Sequence, residues 1–326
     1  MCMCACVSDA AAKAGALIVN MTGFHSIPSD ICAFMAADWL KTQRQTNTLH
    51  LQGFTEVKGG GVSGGTIASM MYMREPRVGA PKDEPSPGSK VGNPYLLNPP
   101  GYAPSKARPL EKDQLLPRFD PDIQKWTVPW LMALVNTRVV RRSFAQRRQL
   151  DRVTGGFGED ASYNECMPAP RGGGFFPALV VWLMLALTAL VMAFGPTRSI
   201  AKRFLPAPGE GPSAEKRAAT RFKHRVLGRG EDGSTVEASM SGTDPGYTET
   251  SKMIGEVGLM LAQDRSKLPL HQLLQGVSAA KQVGGFYTPS IVGGSLLVDR
   301  LRSTGMKLEV GEWTQGKAAA SSSNNN

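Results

Sequence analysis

Twenty consecutive residues, Phe175 to Phe194, carry no charge, and Thr188 is their only polar side chain. As a helix rising about 1.5 Å per residue, the run reaches about 30 Å, the thickness of a bilayer's hydrocarbon layer. Apolar residues cover every side of it, which predicts a helix either deeply buried or in lipid. Gly172-Gly173-Gly174 precede the run and Gly195-Pro196 end it, while Pro177 falls in the first turn, where a missing N–H costs nothing. Both flanks are basic: Arg138, Arg141, Arg142, Arg147, Arg148 and Arg152 on one side, Arg198, Lys202 and Arg203 on the other. Near an anionic membrane such charges contribute about 1 kcal/mol each. Two readings stay open: a lipid-contacting helix, which the flanks favour, and a buried core helix beside a solvated basic face.

The remaining composition is that of a folded protein, with 41% apolar and 20% charged residues. A chain of 326 residues can bury one large core or two modest ones. The net charge of +10 bears on partners rather than fold and is compatible with nucleic acid, anionic lipid or phosphorylated ligands. No aromatics are interleaved with the arginines to stack bases, so nucleic acid is not expected. Of five cysteines, Cys2, Cys4 and Cys6 alternate and Cys32 and Cys166 stand alone. No Cys-x-x-Cys or Cys/His spacing suggests a metal, and reduced thiols in a cytosolic setting are expected. The first residues do not read as a secretory signal.

Periodicity predicts a strand over Ala16 to Asn20, a tight loop at Thr22 to Asp30, and a helix carrying Ile31, Phe34, Met35 and Leu40. Asn47 to Val57 reads as a strand, Gly59 to Gly65 as a glycine loop, and Thr66 to Arg74 as a helix. Prolines crowd Arg77 to Pro129 and predict an extended loop; Trp126 to Leu150 turns helical. Arg221 to Leu227 and Thr235 to Met240 read as a hairpin. A helix from Asp244-Pro245 through Gln263 is predicted to bury Ile254, Val257, Gly258 and Leu261. Val292 to Thr304 is the final helix, Lys307 to Val310 a last strand, and Ala318 to Asn326 a disordered tail.

Several blocks carry a family resemblance. Gly23-Phe24-His25-Ser26-Ile27-Pro28-Ser29-Asp30 resembles the Gly-Phe-Asp-Ser-Ile-Pro-Ser-Asp block of saccharopine dehydrogenase-like oxidoreductases, a group that includes the bacterial trans-acting enoyl reductases. Gly60 to Met70, Asn136 to Ser143, Pro208 to Ser213, Asp244 to Tyr247, and Gly284 to Pro289 leading into Asp299-Arg300-Leu301 follow in family order. The resemblance spans about Val7 to Val310. It implies an α/β fold: a remnant of a Rossmann-type cofactor domain (1–45), then an α+β second domain of mixed sheet and helices with an apolar membrane-associating helix (46–316), then a tail (317–326). The family opens on a Gly-x-Gly-x-x-Gly turn after an apolar strand. No such turn is read after an apolar strand here, so the chain is expected to be N-terminally truncated. NAD or NADP belongs to the full-length parent, and this chain is expected to bind none.

The resemblance also implies reduction of a lipid-linked substrate; a non-catalytic membrane or lipid-droplet protein is the alternative. It places Gly23, Phe24 and His25 in the loop beside the cofactor, although the family has Asp where this chain has His25. His25 as a proton donor and Tyr247 beside a helix start are the catalytic candidates. Ser63 and Thr66 could hold a carbonyl or anionic oxygen, or cap the next helix; Arg138 could pair with a carboxylate or phosphate, or belong to a solvated charge run. No metal site is expected. The expected partners are a lipid surface and a lipid-linked small molecule, with a second copy of the chain kept as a homodimer option. Because the family-like blocks flank the apolar run, a helix lying in one leaflet is preferred to a crossing. The location expected is a cytosol-facing surface, foremost a lipid droplet, otherwise a mitochondrial or plasma membrane.

Overall fold

The computed structural model describes residues 2–61, 63–72, 92–102, 109–150, 157–158, 161–170, 172–201, 203–275 and 284–314. In chain order these form α1 (Cys2–Lys13), β1 (Leu17–Val19), α2 (Ile27–Gln43), β2 (Thr48–Lys58), α3 (Gly64–Tyr72), β3 (Arg118–Asp120), β4 (Lys125–Val128), α4 (Ala133–Leu150) and β5 (Ser162–Pro168). The second half adds α5 (Phe175–Ala193), α6 (Gly195–Ala201), α7 (Ala214–Ala219), β6 (Arg221–Gly230), β7 (Thr235–Gly242), α8 (Thr250–Gln263), α9 (Pro269–Gln275), β8 (Gly285–Tyr287), α10 (Pro289–Ser303) and β9 (Lys307–Glu312).

The architecture is α/β with a mixed sheet. Seven strands run in the order β3-β4-β5-β2-β6-β7-β9, and β1 pairs in parallel with β8 in a separate two-stranded ladder. Strand β2 holds the centre, parallel to β5 and antiparallel to β6. Its side chains alternate between faces. Leu51 joins the large core under α2, α8, α9 and α10. Phe54 points the other way, into a smaller cluster with Ile123, Cys166, Leu227 and Trp313. Strand β6 shows the same logic: Phe222, His224 and Val226 are buried on the helix side, while Lys223 between them is exposed.

Four expectations change. The proline-dense stretch ends in a hairpin, β3–β4, whose turn is completed by Gln124 at φ 53°, so α4 begins at Ala133 rather than near Trp126; residues 73–91 and 103–108 of that stretch, and the tail from 315, lie outside the described residues. The inner face of α8 is Met253, Val257 and Met260 rather than the stripe through Ile254, which is 51% exposed. The turn before it, Pro245–Glu249, is a π-helical turn that rotates the helix relative to a straight continuation. The arginines of α4 do not form a solvated run: Arg138, Arg141 and Arg142 are buried. Strand β5 and helix α1 are not among the elements that periodicity predicts.

The buried-core reading of the apolar helix is also overturned. Only 6% of its best apolar window is buried. Its first turns hold it to the sheet edge, where Ala178 packs with Val128 and Ala169, and the Phe175 and Trp126 rings meet at 4.9 Å.

One buried carboxyl fixes how α2, α4 and α10 meet. Asp30 accepts from the Ser290 backbone N–H at 2.8 Å and its hydroxyl at 2.9 Å, and from the Ser143 hydroxyl. Burial outweighs these bonds and raises its pKa from 3.8 to about 6. A carboxyl with a raised native pKa binds protons more tightly folded than unfolded, so stability falls as pH rises through the window between the two values. Asp30→Asn is expected to abolish this loss. In urea unfolding, the stability of wild type relative to the variant should drop by about 2 kcal/mol between pH 4 and pH 7; a constant difference would place Asp30 in contact with solvent.

Candidate functional site

The loop after β1 and the first turn of α2 stand over the middle of the sheet and roof a small cleft. Phe24, His25, Pro28 and Ser29 come from that roof, Thr55 from β2, His224 from β6, Asn136 from α4 and Trp130 from the turn before α4. The cleft is small and partly open to solvent, and its enclosed space is about that of one water molecule. Register builds it: Thr55 faces His224 across β2–β6, and Gly53 faces Glu165 across β2–β5.

Glu165 organises the floor. It is 1% exposed, and its carboxylate takes four donors. Ser29 Oγ (2.9 Å) and Tyr163 OH (3.0 Å) give to one oxygen; Thr55 Oγ1 (3.1 Å) and Asn136 Nδ2 (3.0 Å) give to the other. Buried charge is tolerated when it is hydrogen-bonded this completely. Gly53 leaves the room required: a Cβ there would lie 2.5 Å from the Tyr163 hydroxyl.

Thr55 links this carboxylate to His224, with its Oγ1 2.8 Å from Nδ1. The Thr55 hydroxyl has one proton and gives it to Glu165, so the network assigns the His224 proton to Nδ1 and leaves Nε2 bare in the neutral ring. Burial lowers the His224 pKa and the Glu165 charge opposes that shift. Nε2 has no partner among the described residues, and neither does Trp130 Nε1, the indole donor. His25 stands at the rim, open to solvent on one side, with its pKa lowered by the protein packed on the other.

Of the residues singled out in the sequence, the structure brings His25 and Phe24 to the cleft. Gly23 lies just outside it, against the Thr250 side chain. The Phe24 backbone N–H donates to Thr250 Oγ1 at 3.1 Å, and its ring meets Phe222 at 4.8 Å. The others sit elsewhere. Ser63 Oγ accepts from the Thr66 N–H at 3.1 Å and contacts its hydroxyl at 2.9 Å, capping α3. Arg138 is taken by Asp113 through two bonds of 2.5 and 2.7 Å. Tyr247 lies under Arg217, 5.3 Å from its guanidinium, and does not line the cleft. Sequence reading misses Ser29, Thr55, Trp130, Asn136, Glu165 and His224. For His224 a signal exists: a histidine at a core-facing position of an alternating strand needs a polar partner.

The glycine loop has its own occupant. Gly59, Gly61 and Gly64 have dinucleotide-fingerprint spacing, and they lie between a strand and a helix as the pattern predicts. The loop is nevertheless filled by the chain's own segment 206–212. The Gly64 N–H donates to Glu210 O at 3.0 Å, a Cβ on Gly64 would lie 1.8 Å from Ala207 O, and one on Gly61 would touch Pro212. Strand β1 is three residues long and pairs only with β8 among the described residues. The described residues therefore do not fit the pyrophosphate of a dinucleotide. Among them there is also no group of three His, Cys, Asp or Glu side chains placed to hold a metal.

No family model matches the chain. A Mycobacterium tuberculosis protein named as a trans-acting enoyl reductase is 31% identical over 313 residues, covering 92% of this chain and 68% of its own length. A protein of that name from Mycobacterium ulcerans is 27% identical over 311 residues, with 91% and 68% covered. One from Mycobacterium bovis is 26% identical over 311 residues, with the same coverage. Identity and reach of that order make the chain a member of the trans-acting enoyl reductase family, and so of an oxidoreductase lineage.

Proposed function

We propose that this chain handles the substrate side of a reduction, holding a lipid-linked unsaturated acyl group at a membrane surface. We also place it in the wider saccharopine dehydrogenase-like group, with NAD or NADP as the reductant of the parent family. The observation that carries the reading is α5. Its nineteen residues are apolar apart from Thr188, and all but Ala178 leave area on the outside of the same fold whose cleft is lined by His224 and Trp130, each with a ring nitrogen that has no partner among the described residues. The apolar surface continues beyond the helix. Phe119 meets Trp126 edge-on, Trp126 meets Phe175, and the Trp182 indole N–H donates to Leu115 O at 2.9 Å, beside exposed Leu115 and Leu116.

Topology favours a helix lying in one leaflet. Strands β5 and β6, immediately before and after the α5 region, both hydrogen-bond to β2, so the chain leaves the sheet and returns to it on one side. A lipid droplet bounded by a single leaflet is the surface that suits such a helix best; mitochondrial and plasma membranes are the other candidates. A non-catalytic lipid-surface protein is the second reading, favoured by the filled glycine loop.

Flotation with vesicles carrying a long-chain trans-2-enoyl ester tests both parts. The chain should float, and the emission of Trp130, identified by difference from Trp130→Phe, should change saturably with ester content. Deleting 175–194 should return the floated fraction to that of a soluble control. A chain that stays at the bottom, or one that floats with unchanged Trp130 emission, would refute the substrate reading; flotation of the deletion variant would refute the anchor.

A further inference from the structure

With room for about one water molecule, the cleft is shut, and an acyl group enters only if a wall moves. Most of the walls are tied down. Thr55 and His224 stand on central strands, and Ser29 and Asn136 are held by Glu165. Phe24 is held by Thr250 and Phe222. Trp130 differs. It lies in the turn between β4 and α4, half-buried, and its buried indole N–H has no partner among the described residues. Such a donor is costly to keep from water, so outward movement of this wall relieves a penalty. The strand before it is lightly fastened on the inner side, where β4 pairs with β5 at Thr127–Pro168 and Val128–Met167.

The same strand carries the foot of α5. Val128 packs with Ala178 and Ala169, the Trp126 ring meets Phe175 at 4.9 Å, and the Trp126 N–H donates to Gly173 O at 2.7 Å. Val128 and Trp130 are two residues apart, so the grip of α5 lies within about 7 Å of the cleft wall along the backbone. The helix is hinged at both ends: Gly172 and Gly173 at its root have φ of 84° and 80°, and Phe194 at its far end is extended ahead of Gly195-Pro196. Its two sides differ. Ala178 and Val181 face the sheet edge, while Phe176, Val180, Leu183, Leu187, Leu190 and Phe194 form an exposed row on another side. In water the inner stripe gains by packing on β4. Among acyl chains that gain vanishes, because lipid is as apolar as the strand.

We infer that α5 is a clamp as well as an anchor: packed on β4 it holds the Trp130 turn shut, and on entering a leaflet it turns at its root glycines, releases β4 and lets Trp130 swing out. The cleft then opens at the lipid surface and stays closed away from it. This rests on the membrane reading of α5 and names how lipid regulates the site.

Diethyl pyrocarbonate reports the opening, because it acylates neutral imidazole nitrogen and is too large for a space of one water. His224, 1% exposed, is the target, and His25 at the rim is the reference. The full chain is treated alone and on vesicles of phosphatidylcholine and phosphatidylglycerol without enoyl ester, with flotation in parallel and each histidine read by peptide mass spectrometry. His224 should be protected in the free chain and react about tenfold faster on vesicles. Trp126→Ala, which loosens the clamp, should raise its reactivity without vesicles, while Cys32 in the main core stays closed to iodoacetamide. The oxidised double variant Val128→Cys/Ala178→Cys should float and keep His224 protected, and reduction should restore the response. If Trp126→Ala exposes Cys32 too, the double variant decides. A chain that does not float ends this inference together with the membrane reading. A chain that floats with His224 still protected overturns the inference and leaves the anchor standing. So does a free chain whose His224 reacts as fast as on vesicles, or an oxidised double variant that responds like the reduced one.

Discussion

Replacing Glu165 with alanine is expected to cost the protein about 3–5 kcal/mol, among the largest single losses available to it. The mechanism is desertion of donors. Ser29, Thr55, Tyr163 and Asn136 all give hydrogen bonds to this carboxylate, from α2, β2, β5 and α4. Each buried donor left without an acceptor costs about 1–3 kcal/mol, reduced wherever the side chain can turn to another partner. Asn136 can shift toward Ser26, which already donates to its Oδ1 at 3.3 Å, so the four costs will not add in full. Glu165→Gln keeps the volume and presents an amide N–H to groups that are themselves donors, so it should recover only part of the loss. Urea unfolding measures both variants. A loss below about 1 kcal/mol for Glu165→Ala would mean that water reaches the floor of the cleft. The same variant should move the His224 pKa further down, since the Glu165 charge is what opposes the effect of burial there.

The parts of the fold that alternate or repeat are legible in the sequence. Strand β2 follows from its pattern to within a residue, and the β6–β7 hairpin is found in place, with β6 running three residues further, through Gly228, Arg229 and Gly230. Those segments put apolar residues on one face and polar residues on the other, the pattern a half-buried strand imposes. Strand β5 lacks that signature. Its sequence Ser-Tyr-Asn-Glu-Cys-Met-Pro buries Asn164 and Glu165 among the apolar residues, because its inward positions serve the polar network instead of the oil. The site is poorly legible for the same reason. It draws Ser29, Thr55, Asn136, Glu165 and His224 from five elements; Ser29 and Asn136 lie in family blocks, but nothing in the sequence marks that the five side chains meet. His25 and Phe24 stand out because their loop carries a block; Ser63, Thr66 and Tyr247 also lie in such blocks, yet they serve caps and packing. Sequence blocks mark where the chain is constrained, and the constraint at Gly64 is contact with Ala207.

The α4 arginines show how a charge run can mislead, and Arg141 offers the second large effect. An arginine row on a helix is ordinarily solvated. Here Arg141 lies across three backbone carbonyls. Nη2 donates to Glu111 O at 2.7 Å and Tyr163 O at 2.9 Å, Nη1 to Pro94 O at 3.1 Å, and Nε to Tyr163 O at 3.3 Å. Its Nε also lies 3.5 Å from the buried Glu111 carboxylate. One guanidinium thereby ties two stretches within the proline-dense region to β5. Arg141→Ala strands those carbonyls and leaves Glu111, among the described residues, with the Tyr95 hydroxyl, so a loss of about 3–5 kcal/mol is expected. Lysine should not rescue it, because a single ammonium cannot span carbonyls that a planar fork reaches together. Pairing Arg141→Met with Glu111→Gln separates the two contributions in urea unfolding. Recovery of most of the stability in the double variant would mean that Arg141 chiefly neutralises Glu111. Little recovery, with faster proteolytic cleavage near Tyr95 and Leu110, is the expected result and would mean that the carbonyl ties dominate.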